Sequence, residues 1–212
     1  MTIDGPVGVG VTTATALVAE ELRAAGRPTR ETRQPSDSTL GNLASAGSEI
    51  YRGRAMAHLV AADRYMHASN LHPVLSRGEV VVCDGYVPTS LVRHVMDGVT
   101  RDDVWRMNRD ADVPRLAVIL NADQDVVLER LAGRVPRNRY ERQPKVTEWE
   151  CGAFKEVARF LMDAGWNVLH LDTSEMDPDA VAWSVVQALH LPRVGQPTAA
   201  VAATVPTAEG GS

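Results

Sequence analysis

Lysine is almost missing from this 212-residue chain, where only Lys145 and Lys155 occur, both late. An anion site in the first two thirds must therefore rely on arginine or on backbone N–H groups. Positive charge is also in deficit overall. A formal net charge of -5 excludes the general basic field that holds nucleic acid or acidic lipid. The two cysteines, Cys83 and Cys151, have neither metal-ligand spacing nor the density of a disulfide framework, so both read as core thiols in a reducing compartment. No apolar run approaches the length of a membrane span, and the N-terminus lacks a charged-then-apolar signal pattern. The expectation is a cytoplasmic protein that engages neither nucleic acid nor membrane. His58, His67, His72, His94, His170 and His190 show no mutual spacing suited to a zinc site or a catalytic triad. Internal repeats are missing as well.

A chain that is 44% hydrophobic and 23% charged is ordinary for one soluble domain with a sizeable core. Its organising stretch is residues 1 to 15, a few strand-like residues, a glycine-rich turn, and two threonines that open an amphipathic segment. Gly5, Gly10 and Thr12 keep the spacing of the phosphate-binding loop G-x-x-x-x-G-K-S/T, but Val11 stands at the lysine position. Such a loop works by converging N–H groups at a helix N-terminus and by a lysine ammonium. Only the first device is present. Glycines after a strand also serve bare turns, and this stretch alone leaves both readings open. Just Met1 to Asp4 precede the loop, short for a strand of about five or six residues, which predicts that the natural chain starts further upstream.

Helical periodicity runs from Thr12 to Ala25 and stops at Gly26 and Pro28. Residues 29 to 35 read as a short extended segment, followed by the turn and cap cluster Ser36-Asp37-Ser38. A helix is expected from Ala55 to Leu75, kinked or divided at Pro73. Val80 to Cys83 is a β-branched run typical of a strand buried on both faces, and Leu116 to Leu120 and Asn167 to Leu171 read likewise. Helical stretches surround Leu91 and Trp105 and cover 124 to 132 and Thr147 to Ala164. Trp105, Trp149, Trp166 and Trp183 are assigned to core or interface packing. The alternation predicts an α/β fold with a five-stranded parallel sheet flanked by helices on both faces. One domain is expected over 1 to 191. It contains an exposed basic segment at about 133 to 145, and a disordered tail follows at 192 to 212.

Four motifs in order give the chain a family likeness: Asp4-Gly5-Pro6 with the loop; Arg33-Gln34-Pro35 followed by Leu40-Gly41; Ala61-Ala62-Asp63-Arg64-Tyr65; and Val82-Cys83-Asp84-Gly85-Tyr86 followed by Thr89-Ser90. With these the chain resembles the thymidylate kinase family over most of residues 3 to 189. The resemblance implies a P-loop kinase fold, ATP with Mg²⁺ as donor, a deoxynucleoside monophosphate as acceptor, a mobile lid and commonly a homodimer. It implies that Gly5, Val7, Gly8, Val9, Gly10, Val11, Thr12 and Thr13 hold the nucleotide phosphates, with Thr12 and Asp84 on the metal. Asp84 has an alternative reading as a helix cap. For the acceptor it implies Arg33, Val60, Arg64, Asp84, Gly85 and Tyr86. Arg30 rivals Arg33, and an ion pair with Asp63 or another surface carboxylate is the alternative for Arg64. The catalytic charge falls to lid residues Arg134, Arg137 and Arg139, whereas Arg142 reads as a solvated charge.

The chain also departs from the family pattern. Val11 replaces the loop lysine, Gly85 replaces the signature arginine, Val7 stands where many members carry an acid, and Val60 where an aromatic often stacks. Gln34 replaces a glutamate. Removing one preorganised charge donor costs roughly 10² to 10³ in rate, so two uncompensated losses would leave little kinase. Two readings follow: an active nucleoside monophosphate kinase whose lid arginines cover for Val11, and a catalytically silent relative that binds a nucleotide or a partner. Strong dTMP kinase activity recovered from none by Val11→Lys with Gly85→Arg supports the second.

Overall fold

Short β-branched runs alternating with amphipathic segments bury all their apolar surface when a parallel sheet is covered on both faces. The computed structural model has this architecture. It describes residues 1–132 and 144–189, with residues 144–147 described by backbone alone. In chain order the elements are β1 (Thr2–Asp4), α1 (Val11–Ala24), β2 (Thr29–Arg33), α2 (Thr39–Ala46), α3 (Gly53–Ser76), β3 (Val80–Asp84) and α4 (Val87–Met96). They continue with α5 (Arg101–Met107), β4 (Ala117–Asn121), α6 (Gln124–Leu131), α7 (Pro144–Asp163), β5 (Val168–Asp172) and α8 (Pro178–Ala188). The strands lie in the order β2-β3-β1-β4-β5, and every neighbouring pair is parallel.

β1 is only three residues long yet lies in the middle, with Thr2 opposite Cys83 on one side and Ala117 on the other. The ladder extends past its start, where the Cys83 N–H donates to the Met1 carbonyl at 3.1 Å, and past the end of β3, where the Gly85 N–H donates to the Ile3 carbonyl at 2.9 Å. Strand order reverses around β1, so its carboxyl end opens at the crevice where such sheets bind ligands.

The period of two divides β4 between two cores. Val118 and Leu120 of β4 join Ile3, Val18, Leu22 and Val185 under α1 and α8. Ala117 and Ile119 join Leu91, Phe154 and Leu161 under α4 and α7. Cys83 and Cys151 are both buried free thiols. Among the described residues no helix is long and apolar enough to cross a membrane.

Several expectations need correction. Pro73 lies inside α3 without dividing it. It falls in the last turn, and the Ser69 carbonyl that loses its donor belongs to an exposed residue. β5 is only partly buried, because it forms a sheet edge with one neighbour. α7 starts at Pro144, three residues before the expected Thr147. α2 and α8 add to the expected helices, and both carry a readable start: Ser38 Oγ accepts from the Gly41 N–H at 3.0 Å, the Asp177 carboxylate accepts from the Ala180 N–H at 2.7 Å, and Pro178 follows. Trp105 stacks edge-on against Phe160 at 5.2 Å and near Trp166 at 6.1 Å. Trp149 and Trp183 are exposed and join neither core. The arginine-rich segment and the tail lie outside the described residues.

Two glycines make opposite predictions. A Cβ on Gly41 would stand 2.0 Å from the Ser36 carbonyl oxygen, whereas one on Gly152 in α7 meets nothing within 4 Å. Gly41→Ala is expected to lower unfolding free energy by about 1–3 kcal/mol, and Gly152→Ala to raise it by about 0.4–1 kcal/mol. Urea unfolding of the two variants beside the parent checks both signs.

Candidate active site

β1 delivers the chain into the glycine loop, and α1 carries it away. Gly8 (φ 89°) and Gly10 (φ 106°) sit in the left-handed region that only glycine adopts without strain. Gly5 is held for a different reason, since a Cβ there would lie 2.7 Å from the Leu120 carbonyl oxygen. Gly10 caps α1 with no side-chain bond, which leaves the first N–H groups facing a cavity of about 330 Å³. Gly5, Val7, Gly8, Gly10, Val11, Thr12 and Thr13 line it. Val9 does not: its side chain turns into the core, and it borders an adjoining cleft of about 280 Å³ with Arg130 and Thr173. The Val11 side chain at the lysine position packs against the first core.

The register Ile3 to Asp84 brings the end of β3 beside the loop, and the Thr12 hydroxyl donates to Asp84 Oδ2 at 2.7 Å. A hydroxyl and a carboxylate are hard oxygen donors, the set that suits Mg²⁺ when phosphates and water complete its shell. Among the described residues no group of three or more His, Cys, Asp or Glu is placed to hold a metal ion. Gly85 follows at φ 77°. Any other residue there would carry about 1–2 kcal/mol of backbone strain.

A second cavity of about 400 Å³ adjoins the first and is bordered by Arg33, Val60, Arg64 and Tyr86. Arg33 sits at its rim, exposed, with Nη2 2.5 Å from Asp37 Oδ1. Arg30 borders neither cavity. Arg64 is 1% exposed. Its Nε donates to Gln34 Oε1 at 2.7 Å, Nη2 to Ser90 Oγ at 2.9 Å and to the Tyr86 carbonyl at 3.2 Å, and Nη1 to Asn108 Oδ1. Burial weakens its hold on the proton, while the charges of Asp4 and Asp63 act in the other direction. Asp63 does not take Arg64 as its contact partner. It accepts from the Ser36 N–H and hydroxyl and from the Ser38 hydroxyl, fixing the turn before α2. Arg64 is therefore a clamp that orients Gln34 and the start of α4.

Asp4, Glu150 and Arg93 escaped the sequence reading as site residues. Asp4 is fully buried, and its Oδ1 accepts from the Tyr86 N–H at 2.7 Å, the Thr89 N–H at 3.1 Å and the Thr89 hydroxyl at 2.7 Å. Its signals were a carboxylate closing an apolar strand and its place in the motif Asp4-Gly5-Pro6. Glu150, also fully buried, accepts from the Val7 N–H at 2.9 Å through Oε2. Its Oε1 lies 4.0 Å from Arg93 Nε. Arg93 borders both cavities, together with Gln34 and Thr89. Arg134, Arg137, Arg139 and Arg142 lie outside the described residues.

A family model described as thymidylate kinase matches residues 3–174. A probable thymidylate kinase of Methanococcus maripaludis is 31% identical over 192 residues, covering 88% of this chain and 92% of that one. A thymidylate kinase of Clavibacter sepedonicus is 34% identical over 183 residues, covering 78% and 87%. The solved thymidylate kinase of Candida albicans superposes with a TM-score of 0.70 at 15% identity, covering 88% of this chain and 89% of that one. That last likeness is one of fold.

Burial is the largest influence on the Asp4 carboxyl and raises its pKa above 3.8, against the bonds from Thr89 and Tyr86. The folded state therefore binds this proton more tightly than the unfolded state. Its contribution falls as pH rises from about 4 through the raised pKa, and the cost is fully present above it. Asp4→Asn removes that titration. The stability of the variant relative to the parent is expected to climb over that window and then level off, as checked by denaturant midpoints at stepped pH.

Proposed function

The chain belongs to the thymidylate kinase family, and from that premise we propose that it transfers the γ-phosphoryl group of ATP to a nucleoside monophosphate, dTMP or a related pyrimidine nucleotide. The observation that carries this reading is the meeting of two cavities, one built of loop amides and one with an apolar end, at the carboxyl ends of β1 and β3. In the reaction the bond between the γ-phosphorus and the β,γ-bridging oxygen breaks. A new bond forms to an oxygen of the acceptor phosphate, and ADP leaves with a nucleoside diphosphate. Such transfer needs little covalent help, only alignment and stabilised charge.

The loop N–H groups receive the donor phosphates, and the cleft beside Arg130 and Thr173 accommodates the rest of the donor. Thr12 and Asp84 would hold Mg²⁺, which when bound neutralises charge on the donor oxygens. Val60 and Met56 form the apolar end of the acceptor cavity, and Arg33 stands at its rim. Arg134, Arg137 and Arg139 belong to this reading as a lid that closes over both nucleotides and excludes water.

A second reading is favoured by Val11 and Gly85. The first turns an aliphatic side chain to the core, and the second has no side chain to offer. A silent relative would bind nucleotide without turning it over.

Isothermal titration with Mg-ATP, Mg-ADP and a panel of nucleoside monophosphates, followed by product assay, separates the two. The kinase reading expects one monophosphate to yield diphosphate, and Asp84→Asn to reduce that rate by about 10–100-fold. Binding without product, and activity appearing only in Val11→Lys, establishes the silent relative. Val11→Lys is the cleaner repair because Gly85→Arg also carries the strain of a left-handed backbone.

A further inference from the structure

We infer that Arg93 is a phosphate-facing cation, the one among the described residues that borders both cavities where they meet, and that Glu150 is its positioning residue. The inference rests on the two-nucleotide reading above and names a residue that brings positive charge to the junction of that site.

Among the described residues bordering the loop cavity, Arg93 is the one cationic side chain, and Asp84 the one acidic one. The same arginine borders the acceptor cavity. It shares that position with Gln34, an amide oriented by Arg64, and with Thr89, whose N–H and hydroxyl are held by Asp4. Thr89 and Arg93 are four residues apart on α4, so they lie on one helical face. Fixing Thr89 fixes the turn from which Arg93 projects. Its side chain is 28% exposed, as befits a group bordering a cavity rather than sealed in a core.

Glu150 gives the arginine its place relative to the loop. One carboxylate oxygen takes the Val7 N–H at 2.9 Å and the other lies 4.0 Å from Arg93 Nε. A single buried carboxylate on α7 thereby ties the phosphate loop to the charge on α4. A donor triphosphate in one cavity and an acceptor monophosphate in the other bring their negative oxygens together at the boundary. The moving phosphoryl group crosses there, between the oxygen it leaves and the oxygen it joins. Backbone amides serve the loop side of that boundary, and the cation serves the middle. Arginine suits the task because its planar fork can meet two phosphate oxygens together.

The test compares the full chain with Arg93→Ala, Arg93→Gln, Arg93→Lys and Glu150→Gln. Titrations with Mg-ADP and with dTMP are run beside product assays, with thermal melts to establish folding. Arg93→Ala is expected to weaken both ligands and to lower kcat/KM by roughly 10²–10³. Arg93→Lys recovers part of each loss, and Arg93→Gln recovers none. Should the alanine variant fail to fold, the lysine and glutamine variants carry the comparison. Glu150→Gln keeps an oxygen for the Val7 N–H but drops the charge. It is expected to lower kcat by about 10–100-fold with KM nearly unchanged, and a shift confined to melting temperature removes its positioning role.

Wild-type affinity for both ligands in Arg93→Ala overturns the inference, as does a loss confined to one ligand. If wild type binds both ligands but makes no product, and Arg93→Ala loses both, the kinase reading falls and the anion site stands. Turnover by wild type that Arg93→Ala leaves intact keeps the kinase reading and overturns the role given to Arg93. A wild-type chain that binds neither ligand overturns both.

Discussion

The buried carboxylate of Asp4 is the tie on which the site depends. It closes the central strand, and one of its oxygens takes three donors from Tyr86 and Thr89 at the start of α4. Taking a carboxylate fully out of water is costly, and breaking such an arrangement by removing one member costs more than the net worth of the pairing. The gain is geometric. The strand that feeds the glycine loop and the helix that faces it become one body, and everything built on either side of the crevice inherits that alignment.

Charge is used sparingly around this frame. The loop relies on backbone amides in left-handed turns, and its lysine position is given over to the core through Val11. At the neighbouring signature position Gly85 offers no cation and leaves its left-handed backbone unstrained. Arg64 serves orientation, with neutral oxygens around its guanidinium. Asp84 and Thr12 supply the oxygen pair beside the loop. What reaches the junction is Arg93, steadied by a carboxylate from a distant helix. Arg23, Arg54 and Arg77 pair with carboxylates at the surface, whereas Arg93 stands where the two cavities meet.

Much of the fold was legible because its signals are local. A β-branched run, an amphipathic helix and a turn glycine each declare themselves within a few residues, and five strands alternating with helices leave few topologies open. The elements that were missed or misjudged lack local contrast. α2 is short and built of small residues. β5 has the composition of a buried strand but lies at a sheet edge, and the carbonyl that Pro73 leaves without a donor belongs to the exposed Ser69. The candidate site divides in the same way. The glycine loop, Thr12 and Asp84 could be found from spacing and motif order, and the structure places them around one cavity. The Val9 side chain turns into the core, and the residue borders the adjoining cleft.

By itself the sequence determined the class of fold, the position of the loop, the scarcity of cations around it and the family likeness, since all of these are properties of neighbouring residues. Tertiary structure alone decided that Glu150 would meet the Val7 N–H across 143 positions of sequence, that Arg64 would become a clamp, and that Arg93 would border both cavities. The physical reason is that partners joined by packing share no periodicity, no spacing and no motif. Only when the central strand is flanked and Asp4 has drawn α4 over the loop do those side chains become neighbours.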